Sequence, residues 1–395
     1  MKKRLKLFLL SLAIFMSASC QMHRSDNALF VPDEKLFADQ YFTGDVVTPE
    51  TPEQIFNLPP ETQSVIDDII VRHKTTQERT KAILLLMFAG TDGKKITYRN
   101  TATYTASETI NNAKANCLSL SILAYSLAKR ASMQTIFQDV KIPEYWVNEN
   151  NRSWLNGHVN LRILHSRLNN ATAGYELLGE DIVVDFEPTV RQDFDTVAID
   201  KNRIIAMFYN NKAAEAELNE NDSQAYAYYR AAINIDPTYA ATWSNLAVLY
   251  RKNNFIELAE QLYKRSLQLN PNSLNTMSNL AVLYRSTNRI READALQISV
   301  DNARKSNPYY FIMLGNEALN KSNPDEAIKY FEKSLRLRRG IHEAYFGLAI
   351  SYAALNELDK TEHYLRQAKR VSQRSEDQQR YSRKLELLSP LAKAH

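Results

Sequence analysis

A 34-residue period fills the second half of the chain and constrains its fold more than any other feature. Windows opening at residues 206, 240, 274, 308 and 342 align without gaps. In the second window Trp243, Leu246, Ala247, Tyr250, Ala259 and Tyr263 set small and large apolar residues at helical spacing, and Pro271 ends the unit. The first window has Tyr209, Ala213, Ala225, Tyr229, Ala232 and Pro237; the third has Leu280, Ala281, Tyr284 and Ala293. The fourth has Phe311, Leu314, Gly315, Ala327 and Phe331; the fifth has Tyr345, Leu348, Ala349 and Tyr352. Gln297 stands where an aromatic is expected, and Thr361 takes a small-residue position. Such a period means units that stack on their neighbours. Small residues let the two helices of a unit approach, and aromatics fill the gaps between units, so each aromatic reads as core before it reads as a ligand contact.

These positions and spacings resemble the tetratricopeptide repeat. The resemblance implies an all-α superhelical solenoid of five units, 206–239, 240–273, 274–307, 308–341 and 342–375, with a groove that takes a protein or peptide partner. Residues 376–395 are expected to add a C-terminal capping helix or tail. From residue 366 onward eight Lys and Arg face three acids, which marks a solvated face. Only nine glycines in 395 residues agree with a largely helical chain.

The N-terminus is a different kind of signal. Lys2, Lys3, Arg4 and Lys6 precede an apolar run over residues 7–16, a leader too short to span a membrane once mature. Ser17-Ala18-Ser19-Cys20 resembles the bacterial lipobox, although that motif prefers Leu, Val or Ile at Ser17. The resemblance implies removal of residues 1–19 and lipidation of Cys20. Gln21 at the next position favours the outer membrane, facing the periplasm. The four positive charges of the leader equal the whole net charge of +4, so the mature chain is near neutral and gives no argument for nucleic acid as a partner. Residues 20–60, with Pro32, Pro49, Pro52, Pro59 and Pro60, read as a tether.

Residues 61–195 read as an α+β domain. Val65, Ile66, Ile69 and Ile70 make one apolar helical stripe, and Ala82, Ile83, Leu86 and Met87 make a second. Thr105-Ala106-Ser107-Glu108 has the form of a capping box, and an apolar helix opens near Cys117. Residues 134–141 and 159–164 read as strands, as does the alternation of Ile182, Val184 and Phe186.

Cys117 is the one cysteine left for the folded domain. It lies where a polar stretch enters an apolar helix, and a helix N-terminus stabilises a thiolate. A base must stand near such a nucleophile. His23 lies in the tether, His73 on a charged helix, and His342, His363 and His395 in or beyond the repeats. His158 starts a strand after Gly157; His165 lies among polar residues at the strand end. Asp185, between Val184 and Phe186, fits the acid that orients the imidazole better than Asp181, which reads as a turn residue.

Cys117, His158 and Asp185 occur in that order with spacings of 41 and 27. The matching pieces are Ala115-Asn116-Cys117-Leu118-Ser119, Gly157-His158-Val159-Asn160 and Val183-Val184-Asp185-Phe186-Glu187-Pro188. They resemble the transglutaminase-like superfamily, which shares the papain-type cysteine-proteinase core. The resemblance implies a catalytic triad of Cys117, His158 and Asp185 and acyl transfer, either amide hydrolysis by an amidase or peptidase or crosslinking by a transglutaminase-like acyltransferase. It also implies an oxyanion site made by the Cys117 N–H and a second donor, for which Asn111, Asn112 and Asn116 are candidates. Ala115 stands where many members have glycine, and Phe186-Glu187 separates Asp185 from the proline that often follows it. A lipoprotein leader, this core and a repeat array together resemble a proteobacterial arrangement. The other reading of the sequence is a non-catalytic adaptor lipoprotein that retains the fold. No cofactor is expected, since neither paired zinc-type ligands nor a glycine-rich phosphate loop occurs.

Overall fold

The computed structural model describes residues 33–89, 96–149, 152–164, 181–185, 194–372 and 375–388. The leader, Cys20, His23, His165, Phe186-Glu187-Pro188 and His395 lie outside the described residues. Among the described residues, no helix is long and apolar enough to cross a membrane.

Helices α1 (Pro52–Phe56), α2 (Pro60–Arg72), α3 (Thr76–Ala89) and α4 (Ala106–Asn112) precede α5 (Cys117–Arg130). Their starts follow from local chemistry. Thr51 and Gln54 form a capping box on α1, and Thr105 and Glu108 form the expected one on α4. Pro60 opens α2, where its missing N–H costs nothing. Helix α5 buries eleven of its fourteen residues, so it is the central helix of this part rather than a surface one. The helices α1 to α4 surround it.

A short parallel pair, β1 (Thr97–Tyr98) with β2 (Lys114–Ala115), leads into α5. The main sheet holds β3 (Thr135–Glu149), β4 (Arg152–Ile163), β5 (Ile182–Val184) and β6 (Thr196–Ile199) in the order β5-β4-β3-β6, all antiparallel. Phe137, Val159, Leu161, Ile163 and Val184 pack into one core with α5, and Ser121 Oγ donates to the Val159 carbonyl at 3.4 Å.

The strands differ from expectation in two ways. β3 and β4 run on as a long hairpin arm, with the register interrupted between Val140 and Tyr145. Pro143, beyond the end of the expected strand at residue 141, lies in that interruption, where it breaks no ladder bond. β6 carries the sheet past residue 195 to Ile199; four residues are too few to show a period.

The repeats follow as helix pairs: α6 (Lys201–Leu218) with α7 (Asp222–Ile235), α8 (Ala240–Lys252) with α9 (Ile256–Leu269), α10 (Leu274–Ser286) with α11 (Ile290–Arg304), α12 (Pro308–Asn320) with α13 (Pro324–Leu337), and α14 (His342–Ala354) with α15 (Leu358–Val371). Four pairs open on the first residue of their window. The first pair opens earlier, at Lys201, where Asp200 accepts the Arg203 N–H at 2.8 Å. Each pair turns on a left-handed residue, Glu220, Asn254, Asn288, Ser322 or Asn356, with φ between 57° and 62° and the same 34-residue spacing. Asparagine tolerates that conformation well, which is how a glycine-poor chain makes these turns. Trp243, Leu246, Ala247, Tyr250, Ala259 and Tyr263 are fully buried. Phe331 fills a slot between Gly315 and Gly347.

Among the described residues the buried apolar core is divided into three, the last part holding Ala349, Leu365, Ala368 and Tyr381. One apolar core runs from the α+β part through Ala293, and a second begins at Ile312. Gln297 occupies the aromatic position at this joint and bonds within its own helix to Asp301 at 2.8 Å. Helix α12 packs against β3 more than against α11.

The expected tether is partly a packed strap. Phe37 stacks on Trp243 with centroids 6.2 Å apart and lies under the Arg230 guanidinium at 3.6 Å. Phe42 stacks on Tyr226 at 4.5 Å, and the Ala38 N–H donates to the hydroxyls of Tyr226 (3.1 Å) and Tyr250 (3.0 Å). Buried aromatics outweigh the prolines that suggested an extended linker, so residues from 33 onward belong to the body. At the other end α16 (Ser375–Leu388) buries Tyr381 completely, with its hydroxyl 2.9 Å from His342 Nδ1, so the capping helix is packed as well as solvated.

Candidate active site

Cys117 is the first residue of α5. Asn116 caps the helix, its Oδ1 accepting the Ser119 N–H at 2.9 Å. The amides that open a helix have no acceptor within it, so the Cys117 N–H is available at the sulfur's own residue. The preceding loop is stitched to the same turn: Ser119 Oγ accepts the Tyr104 N–H at 2.8 Å and donates to the Ala102 carbonyl at 3.2 Å. Cys117 is buried, with Sγ 3.8 Å from the Gly157 carbonyl.

His158 is 2 % exposed on β4. Its Nε2 lies 2.9 Å from both Asp185 carboxylate oxygens, and the Gly157 carbonyl next to it in the chain faces the Cys117 sulfur. Asp185 directly follows β5, whose pairing with β4 brings it beside the histidine. Burial alone works to lower the His158 pKa. The hydrogen bonds to Asp185 and Cys117 and the charges of both outweigh it and push the value up to about 10. The structure thus brings Cys117, His158 and Asp185 into one contact chain.

Asn160 joins this group, and sequence reasoning passed over it. It is buried, and its Nδ2 donates to Asp185 Oδ2 at 3.3 Å. The signal was available: Asn160 stands two residues after His158 on an alternating strand. Asp181, read as a turn residue, pairs with Arg162, whose Nε donates to it at 2.8 Å.

Among the second-donor candidates, Asn116 has other work. Its Nδ2 donates to Thr103 Oγ1 at 2.9 Å while its oxygen caps the helix. Asn111 and Asn112 end α4 and are exposed. His73 follows α2, His363 lies on α15, and His342 is buried against Tyr381, all apart from Cys117. Among the described residues, no group of three His, Cys, Asp or Glu side chains is placed to hold a metal ion.

Comparison with known proteins bears on the repeats. Profiles of the tetratricopeptide repeat match residues 240–273, 273–300 and 312–374. The C-terminal half carries tetratricopeptide repeats. No curated protein matches the chain. Among solved structures it is similar to pilF of Pseudomonas aeruginosa, with 21% identity over 48% of this chain and 95% of that one and a TM-score of 0.28. YrrB, described as a tetratricopeptide protein with an unusual peptide-binding site, is 16% identical over 45% and 92% of the two chains, with a TM-score of 0.25. MamA of Desulfovibrio magneticus RS-1 is 11% identical over 42% and 94%, with a TM-score of 0.25. At such scores these likenesses carry no further argument.

Proposed function

We propose that this chain is a thiol-dependent acyl-transfer enzyme of the bacterial cell envelope, with a transglutaminase-like core, whose tetratricopeptide repeats recruit a protein or peptide. The observation that carries this reading is the buried His158 ring bound to the Asp185 carboxylate, next in the chain to the Gly157 carbonyl that faces the Cys117 thiol. A buried cysteine with a structural role only does not need a histidine kept protonated beside it.

In this reading the pair shares one proton, which rests on the His158 nitrogen not engaged by Asp185 and leaves the Cys117 sulfur as the nucleophile. The thiolate attacks an amide carbonyl, forming a C–S bond and a tetrahedral oxyanion that the Cys117 N–H receives. The imidazolium returns its proton to the leaving nitrogen as the C–N bond breaks, leaving a thioester on Cys117. Water or a lysine amine then attacks the thioester, His158 taking its proton, and Cys117 is released. Asp185 holds the imidazole in the tautomer this requires.

The basic leader and the small residues before Cys20 support a lipid anchor at Cys20, with the protein on the outer membrane facing the periplasm. Labelling with a palmitate analogue that persists in a Cys20→Ala variant contradicts that anchor.

Mixing the protein with p-nitrophenyl acetate tests the chemistry. The expected result is a burst of about one equivalent of p-nitrophenolate and an acetyl group on Cys117 by mass spectrometry, lost in Cys117→Ala and slowed in His158→Ala. Absence of any acetyl-cysteine in the wild type leaves the adaptor reading, in which only the repeats act.

A further inference from the structure

The interrupted joint of the repeat stack lies against the candidate active site through one strand. Val140 pairs with His158 and Tyr145 pairs with Asn156, so residues 141–144 bulge opposite Gly157 alone. The Gly157 carbonyl is the group that faces Cys117 Sγ at 3.8 Å. Whatever fixes the bulge therefore fixes the backbone on which His158 stands.

Two residues of the repeats grip the last residue of that bulge. Arg304, at the end of α11, donates from Nε to Glu144 Oε2 at 2.7 Å and from Nη2 to Oε1 at 3.1 Å. Asn307 donates from Nδ2 to the Glu144 carbonyl at 2.7 Å, while its Oδ1 caps α12 by accepting the Tyr309 N–H at 3.0 Å. Arg304 is 6% exposed, and its guanidinium lies 5.5 Å from the centre of the Tyr310 ring. A two-pronged arginine–carboxylate contact with both partners largely out of water sets geometry as well as supplying attraction. It occurs at the joint where Gln297 takes the aromatic position, and the arm packs there on α12.

We infer that Arg304 is a positioning residue for His158, acting through Glu144 and the bulge, and that the repeat array thereby sets the geometry of the catalytic pair. The inference rests on the acyl-transfer reading of Cys117 and His158. It also supplies a route by which a partner seated on α11 and α12 alters the reactivity of Cys117.

The test is the rate of Cys117 alkylation by iodoacetamide between pH 5.5 and 10 in the full chain. A misplacement of ~1 Å at a reacting pair costs up to about 100-fold. Arg304→Gln is expected to slow alkylation at pH 6.5 by about 10-fold, toward His158→Ala, with Arg304→Lys in between because it keeps the charge but not the fork. Arg289→Gln, which breaks ion pairs to Glu260 and Glu292 elsewhere in the array, is expected to leave the rate unchanged. The inference is overturned if Arg304→Gln, folded by circular dichroism, keeps the wild-type rate and pH profile. If Arg304→Gln does not fold, the same comparison is made on Arg304→Lys and Asn307→Ala, and unchanged rates in both overturn it. His158→Ala separates the two ideas: if it alkylates like wild type, the acyl-transfer reading fails as well; if it is slow while the Arg304 variants are not, only the positioning role fails.

Discussion

His158 Nε2 stands 2.9 Å from both oxygens of the Asp185 carboxylate, so the imidazole is held by a full negative charge on one side while its other nitrogen is left for Cys117. The consequence is a histidine whose protonated form is favoured up to about pH 10.

That value gives a stability prediction with a definite sign. A histidine in an unfolded chain titrates near 6.5 and His158 in the fold at about 10, so the fold is favoured by the bound proton. The contribution is complete below pH 6.5 and vanishes as the pH rises from 6.5 to about 10; it amounts to a few kcal/mol at most. Thermal unfolding of wild type is expected to lose more stability over that interval than His158→Ala does. A proton-carbon NMR titration of His158 is expected to show Asp185→Asn moving its midpoint down. An unchanged midpoint contradicts the role given to Asp185.

Asn160 fixes the orientation of Asp185 through its 3.3 Å bond to Oδ2. Replacing it with alanine removes one hydrogen bond to a charged group, worth ~1.5 kcal/mol, and is expected to slow burst acylation by about 10-fold. Circular dichroism at the same temperature checks that the sheet is intact. Equal burst rates in the two proteins make Asn160 a bystander.

The slot around Phe331 has no spare room. A Cβ on Gly347 would lie 2.3 Å from the Phe331 ring and one on Gly315 2.7 Å from it. Gly347→Ala is expected to cost about 1–3 kcal/mol, read as a lowered thermal midpoint of the repeats, and a paired Phe331→Leu is expected to recover part of the loss.

Phe42 is an apolar contact of the N-terminal strap, stacked on Tyr226 with an 11° interplanar angle. Phe42→Ala is expected to cost about 3 kcal/mol and to make the chain near residue 44 susceptible to limited proteolysis. Resistance equal to wild type means the strap is held by its hydrogen bonds alone.

How far these features could be read from the sequence depends on their range. The helix entry at Cys117 is local, since Asn116 and the apolar run after it are neighbours. The repeats were legible because one period recurs from Ala240 to His342. Asp185 was reachable because alternation on a short strand marks it. Three features were hidden. The arm was hidden beyond residue 141, since the bulge that accommodates Pro143 interrupts the alternation that marks a strand. The strap was masked by prolines, although Phe37 and Phe42 find their partners some 200 residues away, in the repeats. Arg304 and Glu144 are 160 positions apart, and no local pattern at either end announces the pair.

The pH dependence of Cys117 alkylation in wild type and His158→Ala tests the central claim most directly. An ordinary thiol with a pKa of ~8.5 is about 1% thiolate at pH 6.5, so an ion pair with His158 gives an advantage of roughly 10–100-fold there. The account predicts a wild-type rate at pH 6.5 about 10-fold or more above that of His158→Ala, and profiles of different shape for the two proteins. Superimposable profiles for the two proteins contradict it.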